Sequence, residues 1–252
     1  MLTTLDTQHI VQASATRPMN KLLGVLPSHD FDRLKPYLTR VPMKFKQVLH
    51  KQGERIAQVY FPSGGALSLI RTLSDGQVAE IATVGNEGMV GAFVFFGDPE
   101  SVGETIVQVS DGDGYAMAVE AFKMEMHQRG AFYNLIIRYN AALTNQVMQT
   151  TVCNSLHSAE QRGCRWLLMT HDRVGKDGFQ LTHEFMAGML GVRRPTVTLI
   201  AGSLQRAGLI SYRRGYVTIL NREGLEAASC ECYETVKRSF QRLLPELPAS
   251  AG

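Results

Sequence analysis

Long hydrophobic runs are missing from this 252-residue chain, charge is sparse at 19% of residues, and cysteine is confined to the second half. The longest uncharged apolar stretches, such as Met89 to Gly97, fall far short of the roughly 18 residues that a membrane-spanning helix needs, so no membrane partner is expected. Met1 to Arg17 lacks a basic start followed by a continuous apolar segment, so it does not read as a secretory signal and a cytoplasmic address is expected. Enzyme signatures are lacking too. There is no Walker A loop, H-E-x-x-H, G-x-S-x-G or Rossmann fingerprint, and no catalytic residue is expected. Asp111-Gly112-Asp113-Gly114 starts like a calcium loop, but the terminal Glu of an EF-hand would fall at Phe122, so a turn between strands is expected. The four cysteines, Cys153, Cys164, Cys230 and Cys232, show neither paired C-x-x-C spacing nor a His at metal-ligand distance. They read as buried thiols, with Cys230-Glu231-Cys232 the one close pair, and no metal or other cofactor is expected.

What is present suffices for a packed protein. Apolar residues make up 44% of the chain, and its length exceeds the usual size of one hydrophobic core, so two domains are expected. The net charge of +3 is too small to mark a nucleic-acid binder, but it is unevenly placed. Residues 1–157 carry net −1 and residues 158–252 carry net +4, so the basic excess lies in the last third.

Residues 1–20 lack apolar periodicity and read as a disordered N-terminus. Asn20 to Arg40 reads as short helices, with Ser28 as an N-cap. From Val41 to Val119, short runs rich in Val, Ile, Tyr and Phe alternate with Gly, Pro, Asn and Asp, the texture of a compact all-β unit within a domain of residues 21–128. Gln58 to Phe61, Ala66 to Leu73, Gln77 to Val84, Thr105 to Val109 and Gly114 to Val119 are its expected strands. Residues 129–157 read as a long helix whose apolar positions Leu135, Ile136, Tyr139, Ala142, Leu143 and Val147 could serve two faces. One would cover the β unit and the other would meet a twofold copy; the alternative is a helix buried wholly within one chain. A second helix is expected over Ser158 to His171, and Val174 to Phe179 reads as a linker-like turn.

Residues 158–225 carry the informative pattern. Thr182 caps an amphipathic run with Glu184 in its first turn. Phe185, Met186, Met189 and Leu190 form its inner face, Gly191 suits a left-handed turn, and a new helix starts near Arg194 with Pro195 in its first turn. At about 100° per residue, Val197, Ile200, Ala201 and Leu204 form a buried stripe. The opposite face holds Pro195, Leu199, Gly202 and Arg206, flanked by Thr196, Thr198 and Ser203. A solvated face would be laced with Lys and Glu, whereas hydroxyls and one outward leucine suit a DNA major groove, where Thr bonds base edges and Leu199 meets a thymine methyl. Two short β runs then surround Arg213-Arg214-Gly215. A basic hairpin tip beside such a helix is a winged helix-turn-helix, and Arg193, Arg194, Arg213 and Arg214 fit phosphate contacts or the adjacent groove. Asn221 caps a last helix running toward Pro245, within a C-terminal helix and tail over 226–252.

With these motifs, Leu181-Thr182-His183-Glu184 through Gly191-Val192-Arg193-Arg194-Pro195-Thr196-Val197-Thr198 and on to Leu204-Gln205-Arg206-Ala207-Gly208-Leu209-Ile210, the sequence resembles the Crp/Fnr family of bacterial transcription regulators. The β unit is similar to the family's effector-binding β-roll at Gly53-Glu54, Val59-Tyr60-Phe61-Pro62, Gly64-Gly65, Asp75-Gly76 and Val84-Gly85. The resemblance implies an α+β fold: an N-terminal double-stranded β-helix (a jelly-roll-like β-roll), a long central dimerisation helix and a C-terminal winged helix-turn-helix. It implies a homodimer reading double-stranded DNA at a palindromic operator, with half-sites about one helical turn apart, and RNA polymerase as a further partner of an activator. Two departures matter. The glutamate with which many members open the reading helix is replaced by Pro195, so the operator should differ from the commonest half-site. The family's cyclic-phosphate positions fall at Gly91-Ala92 and near Val102-Gly103-Glu104, where the arginine is lost and a nearby carboxylate disfavours cyclic nucleotide. Gly91, Ala92, Glu104 and Thr105 mark the expected effector pocket. The family's amino-terminal iron–sulfur cysteines have no counterpart in residues 1–152. A β-roll interaction module without DNA readout, or a haem-type gas sensor using His157 or His171, are the alternatives.

Overall fold

A computed structural model describes residues 19–110 and 112–244; the readings made for Met1 to Arg17 lie outside them. Asn20, the last residue of the segment expected to be disordered, is buried. Its side chain caps helix α1 (Lys21–Gly24) and donates to the carbonyl oxygens of Pro62 and Gly88 at 2.8 Å each. Helix α2 (Ser28–Leu34) starts at Ser28 itself, with Pro27 in the cap position and no side-chain cap bond. Pro36 lies in a 3-10 turn, Lys35–Tyr37, that follows.

Seven strands form the β-roll: β1 (Thr39–Pro42), β2 (Val48–His50), β3 (Gln58–Pro62), β4 (Ala66–Thr72), β5 (Val78–Val84), β6 (Glu104–Val109) and β7 (Asp113–Ala118). They make two antiparallel sheets, ordered β1-β7-β3 and β2-β6-β4-β5. All five strands expected from the sequence are present. The two additional ones, β1 and β2, are only four and three residues long, too short to carry an apolar alternation that would reveal them. Between the sheets lie Phe61, Leu67, Val84, Met89, Val107 and Met117.

Helix α3 (Val119–His127) is followed by Arg129, which takes a positive φ of 52°, and Gly130 is the N-cap residue of the 26-residue helix α4 (Ala131–Leu156). The apolar positions of α4 expected at a dimer seam are used differently. Leu135, Ile136, Tyr139, Ala142 and Leu143 are buried within their own chain, and Val147 is half-buried. The β-roll and α3 supply this cover, and the Tyr139 hydroxyl donates to the Met89 carbonyl at 2.7 Å. The face of α4 left in the open holds Ala141, Thr144, Met148, Val152 and Leu156, three or four residues apart and all exposed.

Ser158 and Gln161 form a reciprocal capping box that starts α5 (Ala159–Val174). Beyond it, the expected linker contains a strand, β8 (Gly178–Gln180), whose buried Phe179 pairs with Val217. Helices α6 (His183–Leu190) and α7 (Arg194–Arg206), strands β9 (Ile210–Arg213) and β10 (Tyr216–Ile219), and helix α8 (Arg222–Ala228) complete the unit. The expected last helix is broken at Ser229, which adopts extended backbone, and restarts as α9 (Cys232–Leu243), packed along α4. A second core unites these elements with Ala66, Ile70 and Val109 of the β-roll, so the carboxy-terminal unit rests on the β4–β6 sheet.

Candidate nucleic-acid interface

The helix-turn-helix is built locally. Thr182 accepts from the Phe185 amide at 3.1 Å, Gly191 ends α6 in left-handed conformation (φ 62°, ψ 38°), and Pro195 sits in the first turn of α7, where it forfeits no hydrogen bond. Val197, Ile200, Ala201 and Leu204 are buried, as their spacing predicts. That burial turns Pro195, Thr198, Leu199 and Arg206 outward, and Leu199 is 75% exposed. Thr196, Gly202 and Ser203 are half-buried, and Ser203 bonds Glu160 of α5 at 3.3 Å, which places it on the flank. Thr198 is already engaged: its hydroxyl donates to the Arg194 carbonyl at 3.2 Å and lies 3.1 Å from His183 Nδ1. The His183 ring stacks on Tyr212 at 4.4 Å, and burial, then the positive Arg194, lowers its pKa.

The hairpin tip turns through two residues of positive φ, Arg214 (49°) and Gly215 (78°), the conformation that matches the twist of a two-residue hairpin. It is held to α7 by the Tyr212 amide donating to Gln205 at 2.8 Å, and to the start of α6 by the Tyr212 hydroxyl donating to the Leu181 carbonyl at 2.6 Å. Arg193, Arg194, Arg213 and Arg214 are exposed, as is Arg206. Among the described residues none of the five forms an ion pair. A helix face uncharged apart from Arg206, with four further free guanidinium groups around it, can bond phosphate oxygens at its edges and base edges at its centre.

Residues 161–228 match the family model of the Crp-like helix-turn-helix domain. This part of the chain is a Crp-like helix-turn-helix domain. Most of the chain shares the fold of Crp/Fnr regulators. A Crp/Fnr-family protein from Eubacterium rectale superposes with a TM-score of 0.65 at 20% identity, over 81% of this chain and 94% of its own. FixK2 from Bradyrhizobium japonicum gives 0.63 at 15% identity, over 77% and 98%. The c-di-GMP responsive global regulator CLP from Xanthomonas campestris gives 0.63 at 15%, over 77% and 99%. No curated protein matches the sequence. Among the described residues no helix is long and apolar enough to cross a membrane.

In front of the Crp-like domain, the β-roll holds a cavity of 210 Å³. Gly91 and Thr105, two of the four residues expected at an effector pocket, line it together with His50, Leu69, Ile81, Phe93, Leu143 and Val147. Ala92 is buried beside it at the start of a 3-10 turn, and Glu104 is half-buried on β6, outside the lining. Glu100 is the one charged residue of the lining, and the surface is otherwise largely apolar. The His50 Nε2 lies 2.8 Å from the Gln58 carbonyl, so it carries the proton and donates, while Nδ1 lies 3.3 Å from the Thr105 hydroxyl. Burial lowers the His50 pKa.

The histidines considered for haem have protein partners. His171 lies 3.0 Å from Asp177 and 2.7 Å from an Arg222 nitrogen, and His157 lies 3.2 Å from Glu231. All four cysteines are free and buried, as expected, but the expectation that no His lies at metal-ligand distance requires correction. Cys153, Cys230 and Cys232 come together with His157, the ligand atoms of all four lying within 4.8 Å of one another. Two signals could have revealed them: Cys153-x-x-x-His157, four residues apart at the end of a helix, and the pair Cys230-x-Cys232. Each is half a cluster, and only the packing of α9 on α4 joins the halves.

Proposed function

We propose that the chain is a homodimeric, sequence-specific DNA-binding transcription regulator. In this reading α7 enters the major groove, the Arg213–Arg214 wing contacts the flanking backbone, and the apolar β-roll cavity receives the signal. The observation that carries the reading is the outward face of α7, where Leu199 stands 75% exposed among residues without Lys or Glu and beside unpaired arginines. A bare leucine in that position has no structural use within the chain and suits a thymine methyl. The dimer seam is assigned to the open stripe of α4, Ala141, Thr144, Met148, Val152 and Leu156, whose spacing fits a helix pairing with its twofold copy. Two copies related in this way would read a palindromic operator. Gel-shift titration of a random duplex pool against the purified protein tests the reading. Enrichment of a defined sequence supports it, and binding without sequence preference contradicts it.

A further inference from the structure

The cluster of Cys153, His157, Cys230 and Cys232 has the composition and dimensions of a closed metal site. Cys153 and Cys230 place their sulfurs 3.5 Å apart, and Cys232 Sγ lies 3.5 Å from His157 Nδ1. A tetrahedral ion bound through metal–sulfur bonds of about 2.3 Å and metal–nitrogen bonds of about 2.0 Å needs its donors roughly 3.5 to 3.8 Å apart. The three sulfurs are buried and the histidine is half-buried. We propose that these four residues bind one thiophilic divalent metal ion, zinc by preference, in a Cys3His site that fastens α9 to the end of α4.

The surroundings are those of a ligand set. His157 turns Nδ1 to the sulfurs while its Nε2 lies 3.2 Å from a Glu231 carboxylate oxygen. That carboxylate keeps the proton on Nε2 and leaves the Nδ1 lone pair for a metal, the arrangement of carboxylate, histidine and ion common around zinc. Gln149 donates to Cys232 Sγ at 3.0 Å. An ion of charge +2 on three thiolates leaves one net negative charge, and binding releases the three thiol protons. The buried Arg165, whose Nε has no partner, acts electrostatically on Cys153 and offsets that charge. Four protein ligands close the tetrahedron and leave no position for substrate, so the role is structural. Its place gives that role a consequence. His157 is the first of two extended residues (φ −105°, ψ 151°) between α4 and α5, so the ion fixes the joint on which the Crp-like domain is carried. An iron–sulfur cluster, which spreads its cysteines over several irons, needs wider spacing.

The full-length protein, purified under reducing conditions without chelator, should contain one zinc per chain by elemental analysis. Cobalt added to protein stripped of metal should give the strong visible bands of tetrahedral thiolate coordination. Cys153→Ser with Cys230→Ser should lose both signals, whereas Cys164→Ser, which alters a cysteine outside the cluster, should keep both. Circular dichroism of each variant establishes that it is folded. If the double variant does not fold, the cobalt spectrum of the wild type decides. Wild-type protein that takes up neither metal when supplied in excess would overturn the proposal. So would a folded double variant that retains full metal content, a spectrum of bound iron and sulfide, or a Cys153–Cys230 disulfide as the form isolated in place of a metal. None of these readouts depends on DNA.

Discussion

Trp166 Nε1 donates to Glu80 Oε2 at 2.8 Å, joining the first helix of the Crp-like domain to strand β5 of the β-roll. Burial raises the Glu80 pKa, against the Trp166 hydrogen bond and the charge of Arg173. The bond lies where α5 and α6 rest on the sheet, beside the Gln108–Thr170 bond of 3.1 Å and the Arg173–Glu87 ion pair of 2.9 Å. The winged helix is therefore docked on the β-roll by polar bonds as well as by apolar packing.

Because Trp166 is the chain's one tryptophan, its fluorescence reports this junction. Its emission should titrate with a midpoint above 4.5, the ordinary glutamate value. A carboxyl whose folded pKa is raised favours folding while protonated, and that contribution is lost as pH rises through the folded value. Glu80→Gln should abolish the titration. A midpoint unchanged in Glu80→Gln would assign it to another group. Trp166→Phe should destabilise the chain by about 1 to 3 kcal/mol in denaturant titration, since it leaves the carboxylate without its donor.

At the interface, Arg194→Ala should weaken operator binding by about 1 to 3 kcal/mol while leaving the fold intact. Arg213→Ala with Arg214→Ala should weaken cognate and random DNA alike and lower the salt slope by about one for each phosphate that the wing no longer neutralises. Gel shifts at several salt concentrations separate the two effects. An unchanged slope would show that the wing does not touch phosphate.

On α4, two variants should separate subunit association from folding. Met148→Glu with Leu156→Glu alters residues that are 63% and 76% exposed and should yield folded monomers in sedimentation. Leu143→Glu puts a charge where the side chain is 3% exposed and should unfold the β-roll domain, at a cost of about 3 to 5 kcal/mol. A folded, dimeric Met148→Glu, Leu156→Glu variant would move the seam off this stripe.

Burial holds the His50 pKa below its ordinary value of 6.5. Between the two values the unfolded chain binds a proton that the folded chain refuses, so stability falls as pH drops below 6.5. His50→Gln should flatten that part of the stability-against-pH curve, measured by urea titration. A curve of unchanged slope would assign the acid sensitivity elsewhere.

The helix-turn-helix was legible residue by residue because its signals are local: a Thr cap, a left-handed glycine, a proline in a first turn, and a 3.6-residue apolar stripe. The five longer strands were legible for the same reason. Leu135, Ile136, Tyr139, Ala142 and Leu143 were legible as buried positions, but periodicity does not say which surface buries them, and the chain's own β-roll is that surface. The edge strands β1 and β2 lack an apolar pattern. The break between α8 and α9 and the cysteine cluster depend on the packing of α4 against α9, which sequence spacing does not encode.

The central claim is that two copies of α7 read one twofold-symmetric site. Selection of bound duplexes from a random pool, followed by sequencing, tests it most directly. The account predicts an inverted repeat whose half-sites are about one helical turn apart, with enrichment lost in Arg194→Ala. A pool with no enriched sequence, or a single unrepeated half-site bound by a monomer, would contradict it.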